Sequence, residues 1–397
     1  MTATATATKV DATFTSDTVL ERVRALLPAI RDRAAQSEHD RTIPKESVDE
    51  FLDAGIARIL APKMFGGAEL GLRTWIDVVL EISAADAAHG WCASLLIHHP
   101  HYYAQFPKGA QAAVWADGPD VPIAATLTPA SKIDFVDGGY RISGSISYLS
   151  GVNHCTWIMV GGMVPVPGRE PEWTLFAVAP GHYEVLDTWQ TVGMRGTGSN
   201  TVVYEDVFVP ADHVLRVSDM RDGTSPGGGL HESSFFRAPW ITYAPLTFVA
   251  PMLGAARGAL ETYRAWTAER ASLFGSRVAD YTSIQTRMAR AAASLDAAGL
   301  LMDRAIDVAD LPEPAPTSLR TRTYRDSGRM SELIVEAMDT IMTISGSAGF
   351  TVDSSIQRAW RDVHFASSHV ILNPETSFAA WGREQFGLPR DPVQRLY

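Results

Sequence analysis

The chain has 397 residues, of which 46% are hydrophobic and 20% charged, a composition typical of a soluble globular protein with a sizeable core in two or three domains. Its 34 Lys and Arg residues against 45 Asp and Glu leave a formal net charge of −11, which argues against nucleic-acid binding, since that affinity comes largely from basic contacts with phosphate. The two cysteines, Cys92 and Cys155, exclude a disulfide framework, and without any uncharged apolar run of about 18 residues we expect no membrane span and a reducing, cytoplasmic setting.

The first part of the chain is predicted to be helical. A disordered tail is expected over residues 1–15, where neither the basic start nor the apolar core of a signal peptide occurs. Over residues 16–118 apolar side chains recur at helical spacing, as Leu20, Val23 and Leu27 do, which predicts an N-terminal helical domain. Its four helices are expected to begin at Ser16, Pro44, Thr74 and Trp91.

The middle of the chain, residues 119–217, is predicted to be a β domain. Short β-rich runs alternate with turn residues, and Asp137-Gly138-Gly139 is a strong hairpin signal. Because no helices separate the runs, we expect antiparallel strands closed into a barrel or packed as a sandwich. Residues 218–238, in which three glycines follow Pro226, are expected to form a flexible connection.

Residues 239–397 are predicted to form a four-helix bundle. The prolines between Leu311 and Pro316 break its second helix from its third. The four helices are expected over Leu246–Ser272, Tyr281–Ala309, Leu319–Ile344 and Ser354–Phe386. The predicted fold class is therefore α+β, with an N-terminal helical domain, a central antiparallel β-barrel and a C-terminal four-helix bundle.

Histidines are the first candidates for chemistry. His98, His99 and His101 lie on the predicted fourth helix, and His364 and His369 lie on the predicted last helix. No pair in the first group has the i, i+4 spacing of a metal site and no carboxylate lies close by, so we predict no metal centre. For each histidine taken alone, a packing role in the core or at the surface is commoner than a catalytic one.

Three further motifs have both a structural and a functional interpretation. Ser150 ends a strand beside Gly151, where its hydroxyl either completes a turn or donates to a ligand. Arg270, four residues before Phe274, either complements a helix C-terminus or anchors a phosphate. The glycines of Gly193-Met-Arg-Gly-Thr-Gly198 are wrongly spaced for a dinucleotide loop and precede a strand, which favours a turn.

Several motifs, in the right order over nearly the whole chain, resemble the acyl-CoA dehydrogenase superfamily. They are the turn Pro62-Lys-Met-Phe-Gly66-Gly67, the hairpin Asp137-Gly-Gly-Tyr-Arg-Ile-Ser-Gly144, the β-domain exit Gly193–Ser199 and Tyr204–Pro210, and in the bundle Phe274-Gly275, Ser345–Phe350 and Arg361-Asp362. In the fatty-acyl dehydrogenases of that family, a glutamate usually lies eight residues after this aspartate and removes the α-proton of the thioester. Here the position holds Val370, with His369 beside it.

This departure resembles the branch of two-component, reduced-flavin-dependent monooxygenases, which hydroxylate phenols, indoles or thiophene sulfur. That branch shows Gly-Trp…His, Ser-Gly and Arg-Asp…His, where this chain has Gly90-Trp91 with His99, Ser150-Gly151, and Arg361-Asp362 with His369. The resemblance implies that Ser150 hydrogen-bonds near flavin N5 and steadies a C4a-hydroperoxyflavin. It also implies that His369 and His99 face the substrate from two sides. A histidine, titrating near pH ~6.5, is suited to managing the proton of the reaction.

The same resemblance implies the remaining contacts and partners. Thr126 and Thr128 would contact the isoalloxazine edge, Trp91 would wall the pocket, and Arg270 with Phe274 would hold the flavin phosphate across a subunit interface. Reduced FAD or FMN (FADH2 or FMNH2), O2, an aromatic small-molecule substrate, a separate flavin reductase and a homotetramer are implied as well. Two alternatives stay open: an acyl-CoA or related thioester dehydrogenase with a relocated base, and a nitrogen or sulfur oxygenase of the same fold.

Overall fold

A computed structural model describes residues 14–273 and 275–391 of the chain. Its N-terminal part consists of α1 (Ser16–Asp40), α2 (Lys45–Ala54), α3 (Gly71–Ala85), α4 (Ala87–Tyr103) and α5 (Lys108–Val114). Helix α1 begins in a capping box between Thr15 and Thr18. The tail expected over residues 1–15 lies outside the described residues except for Phe14 and Thr15, and Phe14 packs in the core.

Helix α4 is the centre of the N-terminal part. Asp86 caps it by accepting a hydrogen bond from the His89 backbone, and every residue from Ala87 to Tyr103 is buried. A helix that is buried all round has to contact neighbours on several sides, and α4 packs against α3, the bundle and the first β-strand. Side chains on different faces of α4 therefore reach different environments.

The central part is a seven-stranded sheet. Its strands are β1 (Ile123–Val136), β2 (Gly139–Leu149), β3 (Trp157–Val166), β4 (Arg169–Val178), β5 (Glu184–Leu186), β6 (Asn200–Pro210) and β7 (Val214–Arg216), in the spatial order β5-β6-β2-β1-β3-β4-β7. The pair β1 and β3 is parallel, so the expectation of antiparallel strands throughout was wrong at this pair and the sheet is mixed. The hairpin strand β2 returns the chain to the beginning of β1, and β3 then runs beside β1 in the same direction without a crossover helix.

The C-terminal part is helical and packs on α3 and α4. After α6 (Val217–Asp222) it contains α7 (Leu246–Glu269), α8 (Thr282–Ala309), α9 (Thr317–Gly349), α10 (Ser355–Ser367) and α11 (Pro374–Gln385). The predicted last helix is two helices, because Asn373 caps α11 and Pro374 starts it. Residues 218–238, expected as a flexible connection, bury Met220, Phe235 and Phe236. The order of helical, β and helical parts is confirmed.

One hydrophobic core runs from the N-terminal helices into the bundle, and a second, smaller core lies within the sheet. Within residues 14–273 and 275–391, no helix combines the length and the apolar character needed to cross a bilayer. Loops that leave the sheet reach α4 through Ser150 and α10 through Met194.

Candidate active site

Four side chains from the three parts of the chain meet in one cluster. Trp91 of α4 donates from Nε1 to Oγ of Ser150, which follows β2, over 3.1 Å. The Trp91 ring lies 5.0 Å from the ring of Phe248 in the first turn of α7 and 6.3 Å from that of His369. Phe248 stacks on His369 with 3.8 Å between ring centroids and 23° between planes. The structure thus brings Trp91, Ser150 and His369 together, and adds Phe248, which the sequence analysis missed.

Ser150 is held by the turn that follows β2. Gly151 takes a left-handed conformation with φ 70°, and its N–H donates to the Thr197 carbonyl over 2.7 Å. The Ser150 hydroxyl also lies 2.7 Å from that of Ser199, the residue just before β6. A Cβ at Gly151 would lie 3.9 Å from Cys92 Sγ, an ordinary contact, so this turn packs against α4.

The segment before β6 is a turn, as its glycine spacing suggested, and it is bound to the bundle. Asp362 of α10 accepts a hydrogen bond from the Met194 backbone over 2.6 Å. Burial, more than the nearby charge of Asp86, raises the pKa of Asp362 to about 7. Gly193 lies so close to α10 that a Cβ there would stand 2.4 Å from the Arg361 carbonyl oxygen. The Arg-Asp motif therefore fixes the loop that carries Ser199.

His369 lies outside any α-helix, contrary to the expectation, in the break between α10 and α11. Its Nδ1 accepts a long hydrogen bond (3.4 Å) from the Ile371 backbone, so the ring proton belongs on Nε2. The ring keeps part of its surface exposed, yet burial lowers the pKa of His369 to about 4. His369 is therefore a neutral imidazole at pH 7 and presents an N–H donor at Nε2.

His99 is neutral as well, but with the opposite tautomer. Its Nδ1 lies 2.6 Å from the carbonyl oxygen of Ile123 in β1, and because a carbonyl only accepts, Nδ1 carries the proton and Nε2 a lone pair. Burial lowers the pKa of His99 to about 4. His99 lies eight residues beyond Trp91 on α4, about 12 Å along the helix axis. Its described contacts are with the Ile123 carbonyl and the rings of His98 and Tyr102, so the structure does not bring it into the cluster that Trp91 forms with His369.

The other histidines belong to the core or the surface. His98 bonds to the Thr247 hydroxyl (2.8 Å) and stacks on Trp75, and His101 donates to the Phe235 carbonyl over 3.1 Å. His364 of α10 is partly exposed and contacts Asp339. Within the described parts of the chain, no group of three or more His, Cys, Asp or Glu side chains is arranged to hold a metal ion.

The remaining predicted contacts are spread over the chain. Thr126 and Thr128 of β1 follow Ile123 closely, and their hydroxyls lie 3.1 Å apart. Arg270 donates to the Ser345 carbonyl over 3.2 Å and covers the Trp266 ring. It ends α7, 22 residues after Phe248 and thus about 33 Å away along the helix, so it does not join the cluster of its own chain. Phe274 lies outside the described residues.

Comparison with known proteins identifies the family. The acyl-CoA dehydrogenase N-terminal domain matches residues 15–111, and the acyl-CoA dehydrogenase C-terminal domain matches residues 246–374. HsaA, the oxygenase subunit of a flavin-dependent monooxygenase from Rhodococcus jostii (strain RHA1), is 34% identical over 378 residues, which cover 93% of this chain and 98% of that protein. The chain belongs to the flavin-dependent monooxygenase branch of the acyl-CoA dehydrogenase family.

Other members of this branch agree in length and fold. The oxygenase component of an FADH(2)-dependent resorcinol hydroxylase from Rhizobium sp. (strain MTP-10005) is 32% identical, covering 92% of this chain and 93% of that protein. The crystal structure of 3-HSA hydroxylase from Rhodococcus sp. RHA1 superimposes with a TM-score of 0.91 at 33% identity, covering 95% of this chain and 98% of that one. The family and fold predicted from the motifs are confirmed.

Proposed function

We propose that this chain is the oxygenase component of a two-component monooxygenase, which uses reduced flavin and O2 to insert one oxygen atom into an aromatic or heteroaromatic small molecule, such as a phenol or an indole. The position of His369 carries the proposal. It stacks on Phe248 beside Trp91 and Ser150, in the segment where the family's dehydrogenases have their glutamate. Val370, at the glutamate's own position, is 76% exposed.

The residues of the cluster fit a flavin ring. Ser150 offers a hydroxyl at the end of β2, Trp91 and Phe248 offer aromatic surface, and the hydroxyls of Thr126 and Thr128 lie on the adjoining strand. Reduced flavin, when bound, supplies two electrons and activates O2. We assign to Ser150 the contact with flavin N5, and to Trp91, Thr126 and Thr128 the contacts with the ring.

The chain's own residues then bind the substrate, exclude water and handle a proton. His99, with its lone pair at Nε2, can accept a hydrogen bond from an aromatic hydroxyl, and His369 can donate one from Nε2. Both are neutral at pH 7 because burial lowers their pKa values to about 4. Oxygen insertion into a ring needs no carbanion, so a carboxylate base is dispensable at this site.

We propose further that the enzyme is a cytoplasmic homotetramer served by a separate flavin reductase. Arg270 lies about 33 Å along α7 from Phe248, which supports its binding the flavin phosphate of a neighbouring copy. Leu273, three residues on, is 95% exposed, as an interface residue is in an isolated chain. Light scattering tests the tetramer, and Arg270→Ala should weaken flavin binding without changing the reactions of flavin once bound.

The function is tested by supplying the protein with FAD or FMN, a flavin reductase, NADH and isotopically labelled O2 in the presence of a panel of phenols and indoles. FAD is the first choice, because the resorcinol hydroxylase among the relatives is described as FADH(2)-dependent. A product carrying one labelled oxygen atom supports the proposal. If every compound yields only hydrogen peroxide, while an acyl-CoA bleaches oxidised flavin on the protein, a dehydrogenase replaces it.

A further inference from the structure

Three hydroxyl groups form a continuous row of hydrogen bonds behind the candidate flavin site. Trp91 Nε1 lies 3.1 Å from Ser150 Oγ, which lies 2.7 Å from Ser199 Oγ. Ser199 Oγ lies 2.7 Å from Thr197 Oγ1, and Thr197 Oγ1 lies 2.8 Å from the Met194 carbonyl oxygen. We call these three hydroxyls and their four hydrogen bonds the hydroxyl network.

The two ends of the hydroxyl network determine the direction of every bond in it. The indole N–H of Trp91 only donates, and the carbonyl of Met194 only accepts. Four hydrogens, one from the indole and one from each hydroxyl, serve four bonds. All four bonds form only if each hydroxyl donates toward Met194, so the hydrogen of Ser150 points at Ser199 and is not available to a ligand.

The surroundings disfavour any other arrangement. Thr197 and Ser199 are 1% and 4% exposed, and the loop is fixed by Trp189, whose indole also donates to the Met194 carbonyl over 2.9 Å. Turning the Ser150 hydrogen toward a ligand would break one bond of the network and leave two of its oxygens facing each other across 2.7 Å. A buried polar group without its partner is strongly disfavoured.

We propose that the hydroxyl network makes Ser150 a hydrogen-bond acceptor and thereby selects reduced over oxidised flavin. This inference rests on the proposed function, in which Ser150 lies beside flavin N5. Reduced flavin carries a hydrogen on N5 and can donate it to the remaining lone pair of Ser150, whereas oxidised flavin presents a lone pair of its own. Ser199 and Thr197 are positioning residues in this scheme. An oxygenase that receives its flavin reduced from another protein gains by holding that form and releasing the oxidised one.

Affinity for the two flavin forms tests the proposal without any turnover. Dissociation constants of oxidised FAD in air and of dithionite-reduced FAD under nitrogen are measured for the wild type and for Ser199→Ala, which leaves the Ser150 hydroxyl free to donate to oxidised N5. The ratio of the oxidised to the reduced constant should fall about three- to tenfold, the effect of one hydrogen bond. A tenfold fall lowers the midpoint potential of bound FAD by about 30 mV, since the couple transfers two electrons.

A second variant and two controls complete the test. Thr197→Val removes the hydroxyl that receives the Ser199 hydrogen and should lower the ratio as Ser199→Ala does, so either variant decides if the other fails to fold. Ser199→Thr keeps the hydroxyl and should retain the wild-type ratio. Ser147→Ala is the matched control, because Ser147 bonds to Thr201 (2.9 Å) across the same two strands, outside the hydroxyl network.

The failures of this inference and of the proposed function are distinguishable. If Ser150→Ala weakens binding of reduced FAD but Ser199→Ala and Thr197→Val keep the wild-type ratio, the hydroxyl network does not select the flavin form, while Ser150 keeps its place at N5. If Ser150→Ala changes neither constant, the assignment of Ser150 to N5 is itself wrong. A wild type that binds oxidised FAD as tightly as reduced FAD overturns the inference regardless of the variants.

Discussion

Replacement of Phe248 by alanine is expected to make the coupling of flavin oxidation to product formation depend on pH. The Phe248 ring covers His369 at 3.8 Å, and burial lowers the pKa of His369 to about 4. Alanine would admit water to the imidazole and return its pKa toward the ordinary value of about 6.5. Protonated His369 could no longer accept at Nδ1 from the Ile371 backbone, and it would lose the fixed orientation that we assign to the reaction.

The size of the effect follows from the pKa of His369. A lowering from 6.5 to about 4 disfavours the charged form by at most about 3.4 kcal/mol, an upper limit because part of the ring reaches solvent. At pH 6, about one wild-type molecule in a hundred then carries a protonated His369, against about three quarters for an imidazole of ordinary pKa. Between these limits, the Phe248→Ala variant should lose a substantial share of its coupling as the pH falls from 7.5 to 5.5.

The assay compares hydroxylated product with hydrogen peroxide per reduced flavin consumed, from pH 5.5 to 8.5. Relative to wild type, Phe248→Ala should show a profile that falls on the acidic side. Phe248→Tyr keeps the stacked ring and should keep the wild-type profile, and so should Phe135→Ala, which removes a ring contact with Tyr140 in the hairpin of β1 and β2. Identical profiles for wild type and Phe248→Ala would refute the reasoning, and so would a Phe248→Tyr profile that falls as far as that of Phe248→Ala.

Three further predictions concern the site and its support. Ser150→Ala and His369→Ala should each reduce coupling about tenfold or more in favour of hydrogen peroxide; unchanged product-to-peroxide ratios in both would remove their proposed roles. Asp362→Asn keeps an acceptor for the Met194 backbone but buries no charge. Because the pKa of Asp362 is raised to about 7, the wild type loses stability as the pH rises through about 4 to 7, so the variant should melt higher at pH 8 and not at pH 5. Gly193→Ala should lower the free energy of unfolding by about 1–3 kcal/mol, because its Cβ would meet a carbonyl of α10 at 2.4 Å; an unaltered melting curve would contradict this.

The sequence predicted three of the four residues of the cluster, because each of the three lies in a local motif. Trp91, Ser150 and His369 stood in recognisable surroundings, and the structure brings them together. Phe248 lies in no recognisable motif. It stacks on His369, 121 positions later in the chain, and no residue spacing predicts that contact. Ser199 and Thr197 belong to a motif that predicts a turn. Their hydrogen bonds to Ser150 and to each other could not be predicted, because they depend on how the end of β2 lies beside the start of β6.

Three expectations failed for physical reasons that differ in kind. The break before α11 had a local signal, the Asn373-Pro374 pair, which is typical of a helix start and was overlooked within a long helical pattern. The parallel pairing of β1 with β3 had none, because it depends on which side of β1 the hairpin occupies. Likewise, the expectation that a histidine titrates near pH ~6.5 ignored burial, which keeps His99 and His369 neutral.

One measurement tests the central claim most directly: a single turnover of the protein loaded with pre-reduced FAD and an aromatic compound, mixed with isotopically labelled O2 in the absence of any reductase. The account predicts a hydroxylated product with one labelled oxygen atom, in an amount approaching that of the flavin consumed. Quantitative release of labelled hydrogen peroxide with every phenol and indole, at unchanged aromatic concentration, would contradict it.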